Sequence, residues 1–294
     1  MPVVGFTELH KHASDRGYGL VVANVKTLSV VKGVIEASNA LDAPVVLAVE
    51  GSILSDGLLP SLEAMARQTQ PPVVLLASDV RTADQASQAI RSGCNALAPA
   101  QDSTDSDRRE IRNVAASCGI DLIAHDAITA PMVEVDDELE AATLAEAAGP
   151  HASWQALEKA VAEAASQHMK AVFNASKASG KGSDALATCQ PWRPVEHLII
   201  YNTTTDEAGS EAMAAEGRRV LDRIPGVRAT WSGQSVKDDA AYRWCWLIRF
   251  AHPAVIDSYR EHPDHVAYAD NHFRPVAGDR ISIDYRLTGA DEER

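Results

Sequence analysis

The run Asp257-Ser258-Tyr259-Arg260-Glu261-His262-Pro263-Asp264-His265 places one phenol and two imidazoles within seven positions. Both groups can donate and accept protons near neutral pH, so the run reads as a general acid–base cluster. Pro263 lacks an N–H and disfavours the α conformation at His262. A helix carrying Tyr259 is expected to stop near His262, and a second short helix to begin near Asp264. That break turns His262 and His265 inward from a helix junction. The plainer alternative is that these histidines cap helices and fill a small core. A further imidazole, His197, stands in the apolar run Val195-Glu196-His197-Leu198-Ile199-Ile200-Tyr201. Buried there it needs a hydrogen-bond partner, which Tyr259 or His265 could supply. Arg243 and Arg249 have the same parity on the strand around Trp244, hence one face. They could neutralise an anionic substrate at a cavity mouth, or stand as solvated strand-end charges.

The elements that must position these groups fall in the order β-α-β-β-α-β over residues 195–287. The first strand is 195–201. A helix over 210–224 carries Met213, Val220, Leu221 and Ile224 as its apolar stripe and ends at Pro225-Gly226. Strands follow over 227–236 and 242–250, the latter rich in aromatics, and the alternating run 281–287 closes the set. This is the ferredoxin-like split βαβ pattern. One sheet face packs on the helices. The other stays apolar and must be covered, most simply by a second copy of the same domain.

Residues 19–149 alternate short apolar runs (19–25, 44–50, 72–77, 95–98 and 120–124) with amphipathic segments. Leu28, Val31, Val34, Ile35 and Ser38 keep a helical spacing, and a helix opening at Ser106 should end near Cys118 with Gly119 as its C-cap. Strand and helix in this alternation indicate βα units around a parallel sheet. Sites in such folds form at the C-terminal ends of the strands, where Asn24, Glu50, Ser52, Asp79, His125 and Asp126 fall. No local ligand spacing supports a metal there. His10 and His12 belong to an early surface helix and should be solvated. Ser179-Gly180-Lys181-Gly182-Ser183 lacks the frame of a phosphate loop and reads as a flexible linker.

The chain has 294 residues, 46% of them hydrophobic, and a net charge of −14. That is enough for two domains with real cores, and the acidity argues against nucleic acid or anionic membrane as a partner. No apolar run approaches the roughly 20 residues of a membrane span. The N-terminus lacks a signal peptide's basic start and apolar middle, and Cys94, Cys118, Cys189 and Cys245 form no C-x-x-C pair, so a reducing cytoplasm is expected.

Two family resemblances bear on this reading. Gly5-Phe6-Thr7-Glu8-Leu9, Gly17-Tyr18-Gly19-Leu20-Val21-Val22-Ala23-Asn24-Val25 and Pro44-Val45-Val46-Leu47 resemble the opening of class II fructose-bisphosphate aldolases, which are metal-dependent (β/α)8 barrels. Phe173-Asn174-Ala175-Ser176-Lys177-Ala178 resembles the family's last helix and tail. Where that family carries Asp-His-Gly after its third strand, this chain has Ser78-Asp79-Val80. Residues 1–180 are therefore expected as a truncated (β/α) TIM-barrel-like domain of about five units, shorter than the roughly 250 residues of a full barrel. Residues 195–287, through the strand at His197 and the run Ser258–Val266, are similar to the stress-responsive A/B barrel (Dabb) family. That resemblance implies paired sheets, a dimeric α/β barrel and a ligand cavity inside it. By motif, the tyrosine and histidine of the family's aldol-type cyclase fall on Tyr259 and His265. Other pocket positions fall on His197, His262 and Trp244, the last a departure from histidine.

Together these give a (β/α) domain at 1–180, a linker at 181–194, a ferredoxin-like dimeric α/β-barrel domain at 195–289 and a disordered tail at 290–294. One functional reading is a lyase or cyclase acting on a small carbonyl compound without metal or other cofactor. Tyr259, His265, His262 and His197 would carry the chemistry, and Trp244, Arg243, Arg249 and Tyr201 would contact substrate. A second possible site comprises Asn24, Glu50, Asp79 and His125. The other reading is a non-catalytic homodimer that binds a small ligand, with the first domain as scaffold.

Overall fold

The computed structural model describes residues 2–53, 58–123 and 154–287. The chain divides into two compact units, Met1–Arg112 with Ile120–Trp192, and Asn113–Gly119 with Arg193–Arg294.

The first unit is built on five parallel strands: β1 (Val21–Asn24), β2 (Val45–Glu50), β3 (Val73–Val80), β4 (Ala96–Pro99) and β5 (Asp121–Leu122). They coincide with the five apolar runs. The strand order is β1-β2-β3-β4-β5, with no reversal. A barrel wall is laid this way, whereas a doubly wound sheet reverses at a switch point. The strands are continuously apolar because both faces are covered: Val45, Val46, Leu47, Ala48 and Val49 are all buried. The helices are α1 (Phe6–Arg16), α2 (Leu28–Leu41), α3 (Leu58–Ala66), α4 (Ala83–Arg91), α5 (Asp105–Cys118), α6 (Trp154–Ala175) and α7 (Gly182–Thr188). The end of α5 falls at Gly119 as expected, with φ +65°.

The stripe of α2 is Val30, Val31, Val34, Ala37 and Ser38, and Leu28 at its first residue is exposed. Thr27 caps the helix by accepting from Val30 N–H. Gly33 lets α2 approach α6: a Cβ there would sit inside contact with the Ala162 carbonyl oxygen and 2.8 Å from Cβ of Ala165. Gly33→Ala ordinarily gains about 1 kcal/mol in a helix interior. Here backbone atoms block the methyl, so the substitution should destabilise the protein by about 1–3 kcal/mol. A denaturant titration checks it, and an unchanged or raised midpoint would refute the close-packing argument.

Two expectations for this unit are corrected. His12 is buried, because α1 turns Phe6, Leu9, His12 and Ala13 inward. Its Nδ1 lies 2.9 Å from the Tyr18 hydroxyl and its Nε2 3.1 Å from Asp184. The stretch 181–194, read as a linker, carries α7. That helix docks where Gly182 N–H donates to the Asp42 carbonyl at 2.7 Å and Ser183 N–H to the Asp42 carboxylate at 3.1 Å.

The second unit has the β-α-β-β-α-β order: β6 (Val195–Thr203), α8 (Glu207–Leu221), β7 (Val227–Gln234), β8 (Trp244–Phe250), α9 (Val255–Glu261), α10 (Pro263–Tyr268), a π-turn (Ala269–Phe273) and β9 (Ala277–Tyr285). The antiparallel sheet runs β7-β8-β6-β9. Burial on β8 alternates, with Trp244, Trp246, Ile248 and Phe250 buried and Cys245, Leu247 and Arg249 half-exposed. The buried set faces the helices. Pairing extends that face across Val195, His197, Ile199 and Tyr201 of β6 and Arg280, Ser282 and Asp284 of β9. The opposite face carries Leu198, Ile200, Trp231, Leu247, Ile281, Ile283 and Tyr285. Trp231, Ile281, Ile283 and Tyr285 are exposed there.

Among the described residues, no helix is long and apolar enough to cross a membrane.

Candidate functional site

The helix break at Pro263 occurs as the sequence requires. α9 ends at Glu261, His262 adopts φ −62° and ψ 132°, and α10 starts at Pro263. The His262 side chain then accepts from Asp264 N–H and caps α10. Three residues into α10, His265 points back toward Tyr259, and the ring centroids lie 4.4 Å apart. The π-turn after α10 adds one residue to a helical turn, a feature often found at functional sites. It carries Ala269 and Phe273 to the same place, with Arg274 next to it.

These elements roof a cavity of about 310 Å3 whose floor is the helix-side face of β6 and β9. His197, Tyr259 and His265 all line it, with Arg260, Arg274, Arg280, Ser282 and Asp284. A smaller recess of about 30 Å3 continues inward past Tyr259 and His265 and is walled by Leu221, Trp246, Ile248 and Tyr268. The expected hollow between two paired sheets is corrected here. His197 and Asp284 have the strand parity that faces the helices, so one chain supplies floor and roof.

The ring of His265 is oriented by its own helix junction: Nδ1 lies 3.0 Å from the Arg260 carbonyl oxygen. A carbonyl only accepts, so Nδ1 carries the hydrogen and Nε2 is the basic atom. Burial holds this imidazole below its usual pKa, the Arg260 carbonyl opposes that shift, and the charges of His197, Arg274 and His262 add to it. Tyr259 is 4% exposed, and burial followed by the nearby Tyr268 raises its phenol well above the usual range. Its ring packs against Phe250 and His197 at centroid distances of 4.9 and 6.2 Å. Among the described residues, neither the Tyr259 hydroxyl nor Nε2 of His265 has a hydrogen-bond partner. A protonated donor and a neutral base thus line one cavity. His197 Nδ1 donates to Asp284 at 2.7 Å across the β6–β9 pair, which leaves its own Nε2 as a second basic atom.

The other sequence candidates lie elsewhere. His262 caps α10 and does not line the cavity, which is the plainer of the two readings given to it. Trp244 and Tyr201 are cross-strand partners on the helix-side face, both buried, and neither lines the cavity. Arg243 and Arg249 share a face as expected, but it is the open face of the sheet. Arg249 pairs with the buried Glu196 and stacks over Trp231 at 5.6 Å, and Arg243 reaches the Lys237 carbonyl and Asp238. Arg260, Arg274, Arg280, Ser282 and Asp284 were not among the candidates. The alternation along β9 held the signal for three of them: Arg280, Ser282 and Asp284 interleave with Ile281, Ile283 and Tyr285, giving that strand one polar face.

In the first unit, a second cavity of about 460 Å3 opens over the C-terminal ends of β1–β4 and is lined in part by Asn24, Glu50, Ser78, Asp79, Arg81 and Asp102. His125 and Asp126 lie outside the described residues, so only Asn24, Glu50 and Asp79 of the second possible site are placed together. The β3 register shifts before Val80, and Asp79 takes φ +52°. Arg81 contacts Asp102 at 2.8 Å and Asp79 at 3.1 Å, and its guanidinium holds the Asp102 carboxyl below the usual range. A guanidinium thus engages Asp79 and Asp102, while Glu50 accepts from the Ser52 hydroxyl. Among the described residues, no three His, Cys, Asp or Glu side chains group as metal ligands. The donors at this cavity, among the described residues, do not fit the metal that an aldolase barrel implies.

Comparison with known proteins agrees with both folds. The first unit is similar to the YdjI aldolase from Escherichia coli K12, at 14% identity over 61% of this chain and 99% of that chain, with a TM-score of 0.53. A Dabb family protein with a ferredoxin-like fold from Mesorhizobium loti is 21% identical over 33% of this chain and 99% of that one, TM-score 0.31. A hydroxynitrile lyase from Passiflora edulis is 15% identical over 33% of this chain and 96% of its own, TM-score 0.30. No curated protein matches the chain. The first unit therefore has an aldolase-like barrel fold, and residues 195–287 match the family model of Dabb, the Stress responsive A/B Barrel Domain.

Proposed function

We propose that the second unit catalyses proton transfer at the carbon next to a carbonyl group, as a lyase or cyclase does. The observation that supports this most is the pair of unpartnered groups facing one cavity, the buried Tyr259 hydroxyl and Nε2 of His265. His265 takes the proton from carbon. The C–H electron pair becomes the carbon–carbon π bond of an enol, and the carbonyl oxygen receives the Tyr259 proton as its charge develops. Reversal returns both protons. The raised phenol keeps its proton until an oxyanion is present to take it, and the depressed imidazole is neutral and ready to accept. His197, held by Asp284, stands by as an alternative base. The test is deuterium incorporation into a panel of small ketones and keto acids in D2O, followed by proton NMR. Exchange above the buffer rate is the expected result. Compounds that bind without exchanging would sink this reading and leave a ligand-binding module.

The same unit is proposed to form a homodimer. The matched family is described as a barrel, and one copy supplies only an open four-stranded sheet whose outer face is apolar. A second identical sheet closes it by an isologous contact. Sedimentation velocity should give twice the monomer mass, and a monomer at micromolar concentration would count against the pairing. The four cysteines are free thiols, which supports a cytoplasmic setting.

A further inference from the structure

We infer that the carbonyl compound taken by this cavity is an anion, a keto acid class of ligand, and that Arg280 is the residue that reads its carboxylate. The inference rests on the cavity being the ligand site proposed above.

Three guanidinium groups line the cavity, Arg260, Arg274 and Arg280, against one carboxylate, Asp284. This stands out in a chain whose net charge is −14. Asp284 is engaged by His197. Arg260 and Arg274 pair with Asp257 and Asp270 one helical turn away on exposed surface, where such contacts are weak and readily exchanged. Arg280 differs. Among the described residues it has no carboxylate partner. Its guanidinium instead lies over the Phe273 ring at 6.0 Å. Phe273 is a buried wall of both cavity and recess. The contact with the ring holds the guanidinium beside the cavity without using its hydrogen-bond donors, which can take a bidentate carboxylate. Arg280 sits on the exposed strand β9, while Tyr259 and His265 also wall the inner recess. A ligand bound this way has its anion at the open edge, its carbonyl at the acid–base pair and a small apolar end in the recess beside Trp246. The excess positive charge also steers an anion toward an otherwise acidic protein, an effect that salt screens.

The experiment is calorimetric titration of the full chain with levulinate and with phenylpyruvate, each against its methyl ester, at low and high salt. At least one acid should bind at least about tenfold more tightly than its ester, the difference expected for one charge-assisted contact. Arg280→Gln should bring that acid down to the level of its ester, and added salt should narrow the gap in the wild type. β9 exposes this side chain, so the variant should fold, and its circular dichroism spectrum verifies that. Arg274→Gln serves as a second variant, with a smaller loss expected. Equal affinity of acid and ester, no binding of either acid, or undiminished acid affinity in Arg280→Gln would overturn the inference. Acid–ester parity together with His265-dependent exchange removes the anion reading alone. Arg280-dependent binding without exchange removes the proton-transfer reading alone.

Discussion

His265→Gln should lower the rate of deuterium incorporation by about 100- to 10,000-fold, the usual worth of a positioned general base. The substitution keeps a polar side chain at the helix junction, so the contact with the Arg260 carbonyl can be retained while the basic nitrogen is lost. Tyr259→Phe should fall in the same range, since it removes the one proton donor aimed at the carbonyl and little packing. The two losses should not add, because acid and base act in one step. The pH profile gives an independent reading. Burial lowers the His265 pKa from its ordinary 6.5, so the base stays neutral at pH 7 and activity should hold as pH drops to that value. The acid limb should have its midpoint below 6.5. The same shift couples to stability. The unfolded chain takes up this proton first, so the contribution of a neutral, buried His265 is present above the unfolded pKa and lost as pH falls toward the folded one. The Tyr259 phenol is raised above its usual 10, so it should cause no alkaline loss below that point. Wild-type exchange in His265→Gln, or an acid limb with its midpoint above 6.5, would remove His265 from the base role.

Trp246→Ala should be the most damaging single truncation in the second unit. The indole is 1% exposed and meets Tyr268 edge to face, with centroids 6.4 Å apart and planes at 86°. Space for it is cut into α8 by Gly217, where a Cβ would lie 2.6 Å from the indole Cη2 and 2.5 Å from the Tyr268 hydroxyl. Tyr268 is in turn fixed by donating to the Met213 carbonyl at 2.9 Å. Removing the ring leaves a void that a helix and a sheet cannot close, at a cost of about 3–5 kcal/mol. For a domain of this size that is a fall in Tm of at least about 10 °C. Near-UV circular dichroism during a thermal melt checks it, and a loss below about 1 kcal/mol would mean that the recess collapses freely. The void would also join the recess, so a small aromatic added to the variant should restore part of the lost stability.

Much of the fold was legible. The five runs of the first half became five parallel strands because buried strands are written as unbroken apolar stretches. β8 was legible from its aromatic residues and β9 from its alternation of apolar and polar side chains, although β9 is exposed along most of its length. The Pro263 break followed from local backbone rules, but the partner expected for His197 did not: it is Asp284 on the neighbouring strand, not Tyr259 or His265, and His197 is only half-buried. Which face the cavity used was harder to read. Parity sorts side chains into two sets without saying which set meets the helices, so Arg243 and Arg249 were expected at a cavity that Arg274 and Arg280 line. Histidines mislead in a similar way: His12 has a polar side chain, yet its neighbours Phe6, Leu9 and Ala13 carry it inside, where Tyr18 and Asp184 satisfy it. His262 and His265 are three residues apart, and one ends as a cap while the other faces the cavity. That division depends on the π-turn and helix junction, which no periodicity announces.

All walls of the cavity come from a single stretch of the chain, His197 to Asp284. Tyr259, His265, His197 and the arginines are therefore encoded together, in a segment that a gene can gain, lose or fuse as one block. Substitution within the first unit, at Ser78-Asp79-Val80 for example, leaves that block unaltered.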